Sequence, residues 1–301
     1  IFMFKLKNFL DEYLKNNTVD VIHNMAYIPC IPSSLSARKY NIKTVTSVHS
    51  YFDKNWFLAA DPVKAMINYM MEKVILKLDR SKTVHVPSAK MLEGISKTCP
   101  NKKIIAIQNY VDLEEIKKRT RNVDKKKLRE QYNIRVDEIM LVAVGNLYKI
   151  KNMHGLIRAF YHIKKGKLLI VRDGERKEDL KTLIKRLGLG RKVKILGNLG
   201  RDDTLGLISS ADIFVNPSYA ESFSYVLKEA SILGTRIITT DTGISREVKK
   251  DNPEQTIIIE DIKELPQAVR RFSLDKGVKR IKVRGQKKED YLKSFIATLY
   301  R

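Results

Sequence analysis

Short apolar segments alternate with helical segments along the second half of the chain, and this alternation constrains the fold more than any other feature of the sequence. Strands that are each followed by a helix predict a parallel sheet covered by helices on both faces. The predicted strands are 139–145, 167–171, 192–196, 212–216, 236–240 and 256–260, and the predicted helices lie near 152–164, 175–187, 202–209, 222–233, 244–250 and 261–272. The fold class is therefore α/β with a doubly wound parallel sheet, and such sheets bind ligands beyond the carboxyl ends of their strands.

The first half shows the same alternation with fewer strands, which predicts a second parallel sheet. Its predicted strands are 19–23, 43–49, 83–88 and 103–109, and its helices are 1–17, a helix opened by Pro29 and Pro32, 62–78, and a helix starting at Ser88. We therefore expect an N-terminal Rossmann-like domain at 1–111, a charged linker with helical pieces at 112–138, and a C-terminal Rossmann-like domain at 139–273. A basic amphipathic helix is expected within 274–301, with an apolar stripe at Tyr291, Leu292, Phe295, Ile296 and Leu299.

The balance of charge is strongly basic, because 58 Lys and Arg residues against 34 Asp and Glu residues give a formal net charge of +24. Such an excess favours anionic partners, among them nucleotides and the surface of an anionic membrane. No basic stretch is interleaved with aromatic residues and no zinc finger is present, so nucleic acid is not an expected partner.

Neither the cysteines nor the apolar segments point to secretion or to a spanning helix. Cys30 and Cys99 form no metal or redox motif, so a reducing compartment is expected. No apolar run reaches the roughly 20 residues that span a bilayer. We expect a cytoplasmic protein, with peripheral attachment to the inner face of the membrane as an extension of that expectation.

The stretch 211–230 combines a buried strand, a Pro-Ser turn and a helix predicted to open near Ser222. Glu221 lies at the predicted mouth of this helix and Glu229 lies inside it. The first amides of a helix lack backbone partners and form a natural seat for phosphate, which makes the backbone of Ser222, Phe223 and Ser224 a candidate anion site. Ordinary helix capping would also place a carboxylate at Glu221.

Several segments of the chain follow, in order, the motifs of one enzyme family. They are DVIH at 20–23, TSVH at 46–49, VPS at 86–88, QNYVDL at 108–113, VGNL at 144–147 followed by Lys151, IVRDG at 170–174, SADIFVNPS at 210–218, the pair Glu221 and Glu229 at E-x7-E spacing, and TTDTGISRE at 239–247. In this conjunction the chain resembles the GT-B glycosyltransferases, specifically the large retaining group known as family 4.

The resemblance implies a nucleotide diphosphate sugar as donor, a glycan or lipid-linked acceptor, and roles for particular residues. By resemblance, Glu229 accepts hydrogen bonds from the ribose, Glu221 meets hydroxyls of the donor sugar, and Lys151 neutralises the leaving diphosphate. Retention is ascribed in this group to front-face attack of the acceptor. The remaining implied site residues are the loop residues Gly145 and Asn146, and His49, which would face the donor sugar. The sequence contains no Asp-x-Asp motif and no His/Cys cluster, and the family generally works without a metal, so no metal or other cofactor is expected.

The sequence departs from the family pattern at the loops where glycine or arginine is usual. The residues that replace them are Asn146 for an arginine, and Tyr110, Arg172, Ser222, Ser224 and Ile244 for glycines. Only 19 residues precede Asp20, whereas the family has a further strand–loop–helix section there. We therefore expect the first domain to be incomplete at its amino end, or to be completed by another chain.

Three functions remain open at this point. The first is an active retaining glycosyltransferase. The second is a catalytically weakened GT-B protein that serves as a binding or assembly subunit, which the substitutions at Asn146, Ser222 and Ser224 would favour. The third is a sugar-nucleotide epimerase of the same architecture.

Overall fold

The computed structural model describes residues 2–26, 28–274 and 287–300, which form two compact units. Unit 1 comprises Ile1–Tyr110 with Gln286–Arg301, and unit 2 comprises Val111–Gly285. Each unit contains one parallel sheet with helices packed on it. The predicted α/β class is therefore confirmed.

Unit 1 has a sheet of four parallel strands in sequential order, β1-β2-β3-β4. The strands are β1 (Val21–Asn24), β2 (Lys43–Ser47), β3 (Thr83–Val86) and β4 (Lys103–Ala106), and the helices between and before them are α1 (Phe2–Asn16), α2 (Cys30–Lys39), α3 (Trp56–Ala59), α4 (Pro62–Leu78) and α5 (Ala89–Thr98). A 3-10 turn, Asp53–Asn55, precedes α3. Among the described residues β1 pairs with β2 on one side, and completion of its other edge by another chain stays a prediction.

Local sequence explains where the helices of unit 1 begin. Asp61 accepts a hydrogen bond from the backbone N–H of Lys64, and Pro62 follows it in the first turn of α4. Ser88 caps α5 in the same way by accepting from Met91 N–H. Side-chain oxygens satisfy the free amides at helix starts, and proline is well tolerated there. Both starts agree with the sequence prediction.

Unit 2 has a sheet of six parallel strands in the order β10-β9-β8-β5-β6-β7. The strands are β5 (Ile139–Val144), β6 (Gly166–Val171), β7 (Val193–Gly197), β8 (Ile213–Asn216), β9 (Arg236–Thr240) and β10 (Thr256–Ile259). The chain winds outward from β5 in one direction, then crosses back to β8 and winds outward in the other. Neighbouring strands β5 and β8 therefore mark the point where the winding reverses, which is the ligand crevice of doubly wound sheets.

Helices cover both faces of this second sheet. They are α6 (Leu113–Thr120), α7 (Lys125–Gln131), α8 (Met153–Phe160), α9 (Lys177–Arg186), α10 (Arg201–Ser210), α11 (Tyr225–Ile232), α12 (Ser245–Asp251) and α13 (Leu265–Leu274). Alternate residues of β5 enter the two cores, with Leu141 packed on one face and Met140 and Val142 on the other. This is the period-2 pattern of a strand buried on both sides.

The segment expected to be a linker, 112–138, forms α6 and α7 and belongs to unit 2. Two aspartates cap these helices, because Asp112 accepts from Glu115 N–H and Asp124 accepts from Lys127 N–H. Ile116 of α6 is fully buried. High charge suggested a linker, yet the charged side chains lie on the outer faces while a few apolar ones anchor the segment to the core.

The last helix, α14 (Lys288–Leu299), is grouped with unit 1. Its Tyr291 ring lies 5.4 Å from the ring of Tyr110, and its Phe295 ring lies 5.1 Å from that of His85. Leu299 is buried, whereas Leu292 and Ile296 remain exposed. The helix predicted within 274–301 therefore packs part of its apolar stripe against the first sheet, and residues 275–286 of that prediction lie outside the described residues.

Both cysteines are buried among the described residues of unit 1. Burial raises the pKa of the Cys30 thiol to about 12. None of the described helices is both long and apolar enough to cross a membrane.

Arg129 of α7 connects the segment 112–138 to the second sheet. Its guanidinium donates to Asp212 Oδ2 at 2.9 Å and to the carbonyls of Arg135 and Glu138, and the same Asp212 oxygen accepts from Met140 N–H. We expect Arg129→Ala to lower the free energy of unfolding by about 1–3 kcal/mol, because a charged donor with several acceptors is lost. Urea denaturation measures this loss. Lys126→Ala is the control, since that side chain is 89% exposed, and an equal loss in both variants would contradict the role of Arg129.

Candidate functional site

The loops that follow β5 and β8 meet at the reversal point of the second sheet. Tyr219 N–H donates to the carbonyl of Ile150 at 2.9 Å, which ties the two loops together. Lys151, on the 3-10 turn Lys149–Lys151, donates through Nζ to Glu221 Oε1 at 2.6 Å. Two residues that the sequence analysis proposed for separate roles, 70 positions apart in the chain, thus form one ion pair across the crevice.

Glu221 is held through its carboxylate and through its backbone carbonyl. Ser218 Oγ donates to the same Oε1 at 2.8 Å, and the backbone carbonyl of Glu221 accepts from Gly243 N–H at 3.1 Å. Gly243 has a φ of 54°, and a Cβ there would lie 2.7 Å from the carbonyl oxygen of Phe223 and 3.0 Å from Glu221 Cβ. Only glycine permits this close approach, so the loop after β9 buttresses the loop that carries Glu221. The Glu221 side chain is left 12% exposed and that of Lys151 25% exposed, which keeps both accessible from solvent.

The helix of this stretch begins at Tyr225, and the prediction that it opens near Ser222 was wrong. Ser222 and Phe223 form a bend, and Ser224 at the N-cap has φ 69° and ψ 82° with no side-chain capping bond. Glu221 therefore lies outside the helix, and the helical rise does not set its separation from Glu229. The loop continues for three more residues because the carbonyl of Phe223 accepts a hydrogen bond from Ile244 N–H. This carbonyl is therefore not paired within the helix.

Glu229 lies inside α11 with a side chain that is 7% exposed. Its Oε1 accepts from Arg201 Nη1 at 2.9 Å, and Arg201 begins α10. Burial raises the pKa of Glu229, and the hydrogen bond from Arg201 acts against that rise. A buried carboxylate balanced by one arginine, itself 47% exposed, is suited to accept hydrogen bonds from a polar ligand that reaches the same edge.

Three charged residues near Glu229 were missed by the sequence analysis as parts of this site. Arg201 contacts Glu229 directly, and its Nε lies 3.7 Å from Glu115 of α6. The charge of Arg172 also acts against the rise that burial causes in the pKa of Glu229. The position of Arg201 was a usable signal, since it begins a helix after a strand of the second sheet and therefore lies at the carboxyl edge.

Gly145 and Asn146 follow β5 directly at the same edge of the sheet. Gly145 donates its N–H to the carbonyl of Val171, and a Cβ on Gly145 would lie 3.3 Å from Met153 Cε and 3.6 Å from Lys151 Cδ. A side chain at this position would therefore press on Met153, whereas Lys151 lies at an ordinary contact distance. Asn146 is exposed. Donor binding by these two residues stays a prediction.

His49 lies in unit 1, two residues beyond the end of β2, and is exposed at the carboxyl edge of the first sheet. Its ring meets the His85 ring edge-on at 5.9 Å between centroids. Burial lowers the pKa of both imidazoles, which favours their neutral forms. A neutral imidazole can accept a proton or a hydrogen bond, and the role of His49 at the donor sugar stays a prediction.

Behind His49, a chain of hydrogen bonds crosses the first sheet from Tyr300 to the carbonyl of Ile107. Tyr300 Oη lies 2.7 Å from His23 Nδ1, His23 Nε2 lies 2.7 Å from Ser47 Oγ, and Ser47 Oγ lies 2.8 Å from His85 Nδ1. His85 Nε2 must donate to the Ile107 carbonyl at 2.9 Å, because a carbonyl only accepts. With both rings neutral, the remaining hydrogen bonds all donate in the same direction. Tyr300 Oη donates to His23 Nδ1, His23 Nε2 donates to Ser47 Oγ, and Ser47 Oγ donates to His85 Nδ1.

Ser224 and Arg172 adopt positive φ values of 69° and 103° at positions where glycine was expected. A left-handed backbone costs an L-residue roughly 1–2 kcal/mol. These two residues therefore keep the glycine-type loop geometry at the expense of local strain.

We expect Ser224→Gly to leave the free energy of unfolding unchanged or raise it by up to about 1 kcal/mol, because relief of the left-handed backbone offsets the added freedom of the unfolded chain. Ser222→Gly is the matched control, since Ser222 does not have a positive φ and should lose about 0.5–1 kcal/mol. Thermal and urea unfolding measure both. A larger loss for Ser224→Gly than for Ser222→Gly would contradict the proposed strain.

The sequence matches two family profiles that together cover most of the chain. Residues 124–289 match the glycosyl transferases group 1 and residues 1–115 match the glycosyltransferase family 4. The chain is similar to the N-acetyl-alpha-D-glucosaminyl L-malate synthase of Bacillus anthracis, at 27% identity over 77% of this chain and 59% of that protein. It is also similar to the O-antigen biosynthesis glycosyltransferase WclY of Escherichia coli, at 26% identity over 79% of this chain and 65% of that protein. The chain thus spans less than two thirds of the length of each relative.

Solved structures share the fold. HepE of Anabaena in complex with UDP superposes with a TM-score of 0.70 at 18% identity, covering 91% of this chain and 73% of that one. The lipopolysaccharide outer core galactosyltransferase WaaB superposes with a TM-score of 0.72 at 15% identity, covering 97% and 78%. With a family profile matched over more than half of its residues, and with the GT-B fold in its structural neighbours, the chain belongs to the glycosyl transferases group 1.

Proposed function

We propose that the protein is a retaining glycosyltransferase that moves a sugar from a nucleotide diphosphate sugar to a glycan or lipid-linked acceptor. The observation that carries this proposal is the ion pair between Lys151 and Glu221, which joins the loops after β5 and β8. A cation and a carboxylate at the reversal point of a doubly wound sheet match the two parts of such a donor, an anionic diphosphate and a sugar rich in hydroxyls.

In this proposal Lys151 is the group that stabilises the leaving diphosphate. Breaking the bond between the sugar and the diphosphate places negative charge on the phosphate oxygens, and a preorganised cation lowers the barrier by meeting that charge. The Lys151 ammonium donates to the carboxylate of Glu221. A bound diphosphate competes for the same ammonium, which would release the Glu221 carboxylate to accept from hydroxyls of the donor sugar.

Glu229 is proposed to bind the nucleoside end of the donor. Its carboxylate is buried, which strengthens any hydrogen bond that a ribose hydroxyl donates to it. HepE, whose fold is similar, was crystallised with UDP and with UDP-glucose. Uridine diphosphate is therefore the first nucleotide to test.

The acceptor and the stereochemistry rest on the family. The relatives include enzymes named for O-antigen biosynthesis and for an undecaprenyl-diphosphate-linked acceptor, and we propose an acceptor of this general class. Retention by front-face attack needs no carboxylate nucleophile, and His49 at the edge of the first sheet is proposed to meet the reacting sugar. The proposal includes no metal, so activity should persist in the presence of a chelator.

We expect Glu229→Ala to weaken the binding of uridine diphosphate by about 1–3 kcal/mol, because the hydrogen bonds to its carboxylate are lost. Isothermal titration calorimetry measures the change. Glu178→Ala is the control, since that side chain is 77% exposed on α9. Unchanged affinity in a folded Glu229→Ala protein would remove Glu229 from the donor site.

We expect Glu221→Ala to lower turnover by roughly tenfold to a hundredfold while the affinity for uridine diphosphate stays the same or rises. The reason is that the variant loses a contact to the donor sugar but frees Lys151 for the diphosphate. Product formation from a screened donor and acceptor pair gives the turnover, and calorimetry gives the affinity. Equal losses of both would contradict a sugar-facing Glu221, and donor binding without any turnover in the unsubstituted protein would favour the weakened-subunit alternative.

A further inference from the structure

Helix α4 of unit 1 exposes a continuous apolar face, here named the α4 stripe. Its members are Val63, Met66, Ile67, Met70, Met71, Val74 and Leu78, each between 47% and 70% exposed. At 100° per residue they fall within an arc of about 140° on the helix. The opposite side of α4 packs into unit 1, where Ala65, Glu72, Ile75 and Leu76 are buried. Contiguous apolar patches of this kind mark interaction surfaces.

The exposed charges along α4 are basic, and the exposed N-cap carboxylate of Asp61 lies 3.8 Å from Lys64 Nζ. The carboxylate within α4 is that of Glu72, which is 1% exposed. It accepts hydrogen bonds from the backbone N–H groups of Phe52 and Asp53 at 3.1 and 2.8 Å. Its charge therefore points into the protein and away from the stripe. Lys64 and Lys77 are exposed on the same helix. A surface that binds α4 must therefore provide both apolar contact and negative charge.

The neighbouring helix α3 extends this surface. Phe57 and Leu58 are 42% and 39% exposed, and the Phe57 ring lies 6.0 Å from the ring of Tyr69 on α4. Aromatic side chains that carry a polar group, such as Tyr69, are favoured at the boundary between hydrocarbon and water. The patch thus includes aromatic as well as aliphatic side chains.

The two helices at the ends of the chain, α1 and α14, are less suited to a membrane surface than α4. The apolar stripe of α14 is partly used inside unit 1, through Tyr291, Phe295 and Leu299. Helix α1 also exposes apolar side chains, but it carries the carboxylates of Asp11 and Glu12. Exposed apolar area without an exposed carboxylate within the helix distinguishes α4 from α1.

We propose that the α4 stripe docks on an anionic lipid bilayer, with α4 lying in the plane of the interface. Methionine, valine, isoleucine and leucine side chains would enter the boundary between headgroups and acyl chains, while Lys64 and Lys77 reach back to the anionic headgroups. At 17 residues, and with lysines along it, α4 lies on the membrane and does not span it. This proposal is independent of the proposed function.

A second copy of the chain fits this surface less well than a lipid bilayer. Pairing two copies through α4 would bring together two molecules of formal charge +24, and the exposed carboxylate at the N-cap of α4, Asp61, already lies 3.8 Å from Lys64 Nζ of the same chain. Like charge opposes such an association, whereas an anionic surface attracts both lysines.

The test is sedimentation of the protein with vesicles of phosphatidylcholine, pure or containing about one third phosphatidylglycerol. We expect binding to the anionic vesicles that weakens as salt is raised, because surface charges are screened. The double variant Met66→Gln and Met70→Gln, which keeps the charge and the approximate shape, should bind at least about tenfold more weakly. Circular dichroism checks that the variant is folded.

The control is the double variant Val136→Gln and Leu274→Gln, which removes exposed apolar side chains (102% and 86% exposed) from unit 2. It should bind vesicles as the unsubstituted protein does. Equal binding by the α4 variant, or equal binding to both kinds of vesicle, would overturn the proposal. Sedimentation velocity without vesicles completes the test: a dimer that the α4 variant splits into monomers, without vesicle binding, would assign the stripe to a second copy and also overturn it.

Discussion

The contact that joins the two loops of the candidate site in unit 2 is the ion pair between Lys151 and Glu221. It forms where the winding of the six-stranded sheet reverses, between the loops after β5 and β8. Parallel strands leave their carboxyl ends at one edge, and reversal opens a crevice there because the two connecting chains depart in opposite directions. The sheet thus places a cation beside a carboxylate that the chain separates by 70 residues. Ser218 and Gly243 hold Glu221 in place within this pair.

A second carboxylate, that of Glu229, lies in a different environment from that of Glu221. Glu221 keeps contact with solvent and with a flexible lysine, whereas Glu229 is buried in α11 and balanced by Arg201. Burial raises the pKa of Glu229 because the charged form loses hydration, and the arginine limits that cost. Two residues of one motif therefore have distinct environments, and this difference supports distinct proposed roles: one for a part of the donor that changes during the reaction and one for a part that does not.

The loops of unit 2 retain a backbone geometry that glycine would adopt more readily. Ser224 and Arg172 have positive φ values, and each is held by surrounding hydrogen bonds, such as that from Arg172 N–H to the carbonyl of Gly197. A strained backbone of this type persists only when several surrounding contacts hold it in that conformation. Ser224 and Arg172 thus keep positive φ values where glycine was expected, and they add side chains at these positions.

The sequence by itself determined the elements and their order. Buried strands such as 213–216 and capped helices such as α4 and α5 follow from local patterns of apolar residues, Asp, Ser and Pro, and these patterns act over a few residues. The family motifs likewise made Glu221, Glu229 and Lys151 candidate site residues. Only the tertiary structure decided which charges meet: the pairing of Lys151 with Glu221, of Arg201 with Glu229, the assignment of 112–138 to unit 2, and the start of α11 at Tyr225. These depend on contacts between residues distant in the chain, and local propensity carries no information about a partner that only the winding of the sheet brings near.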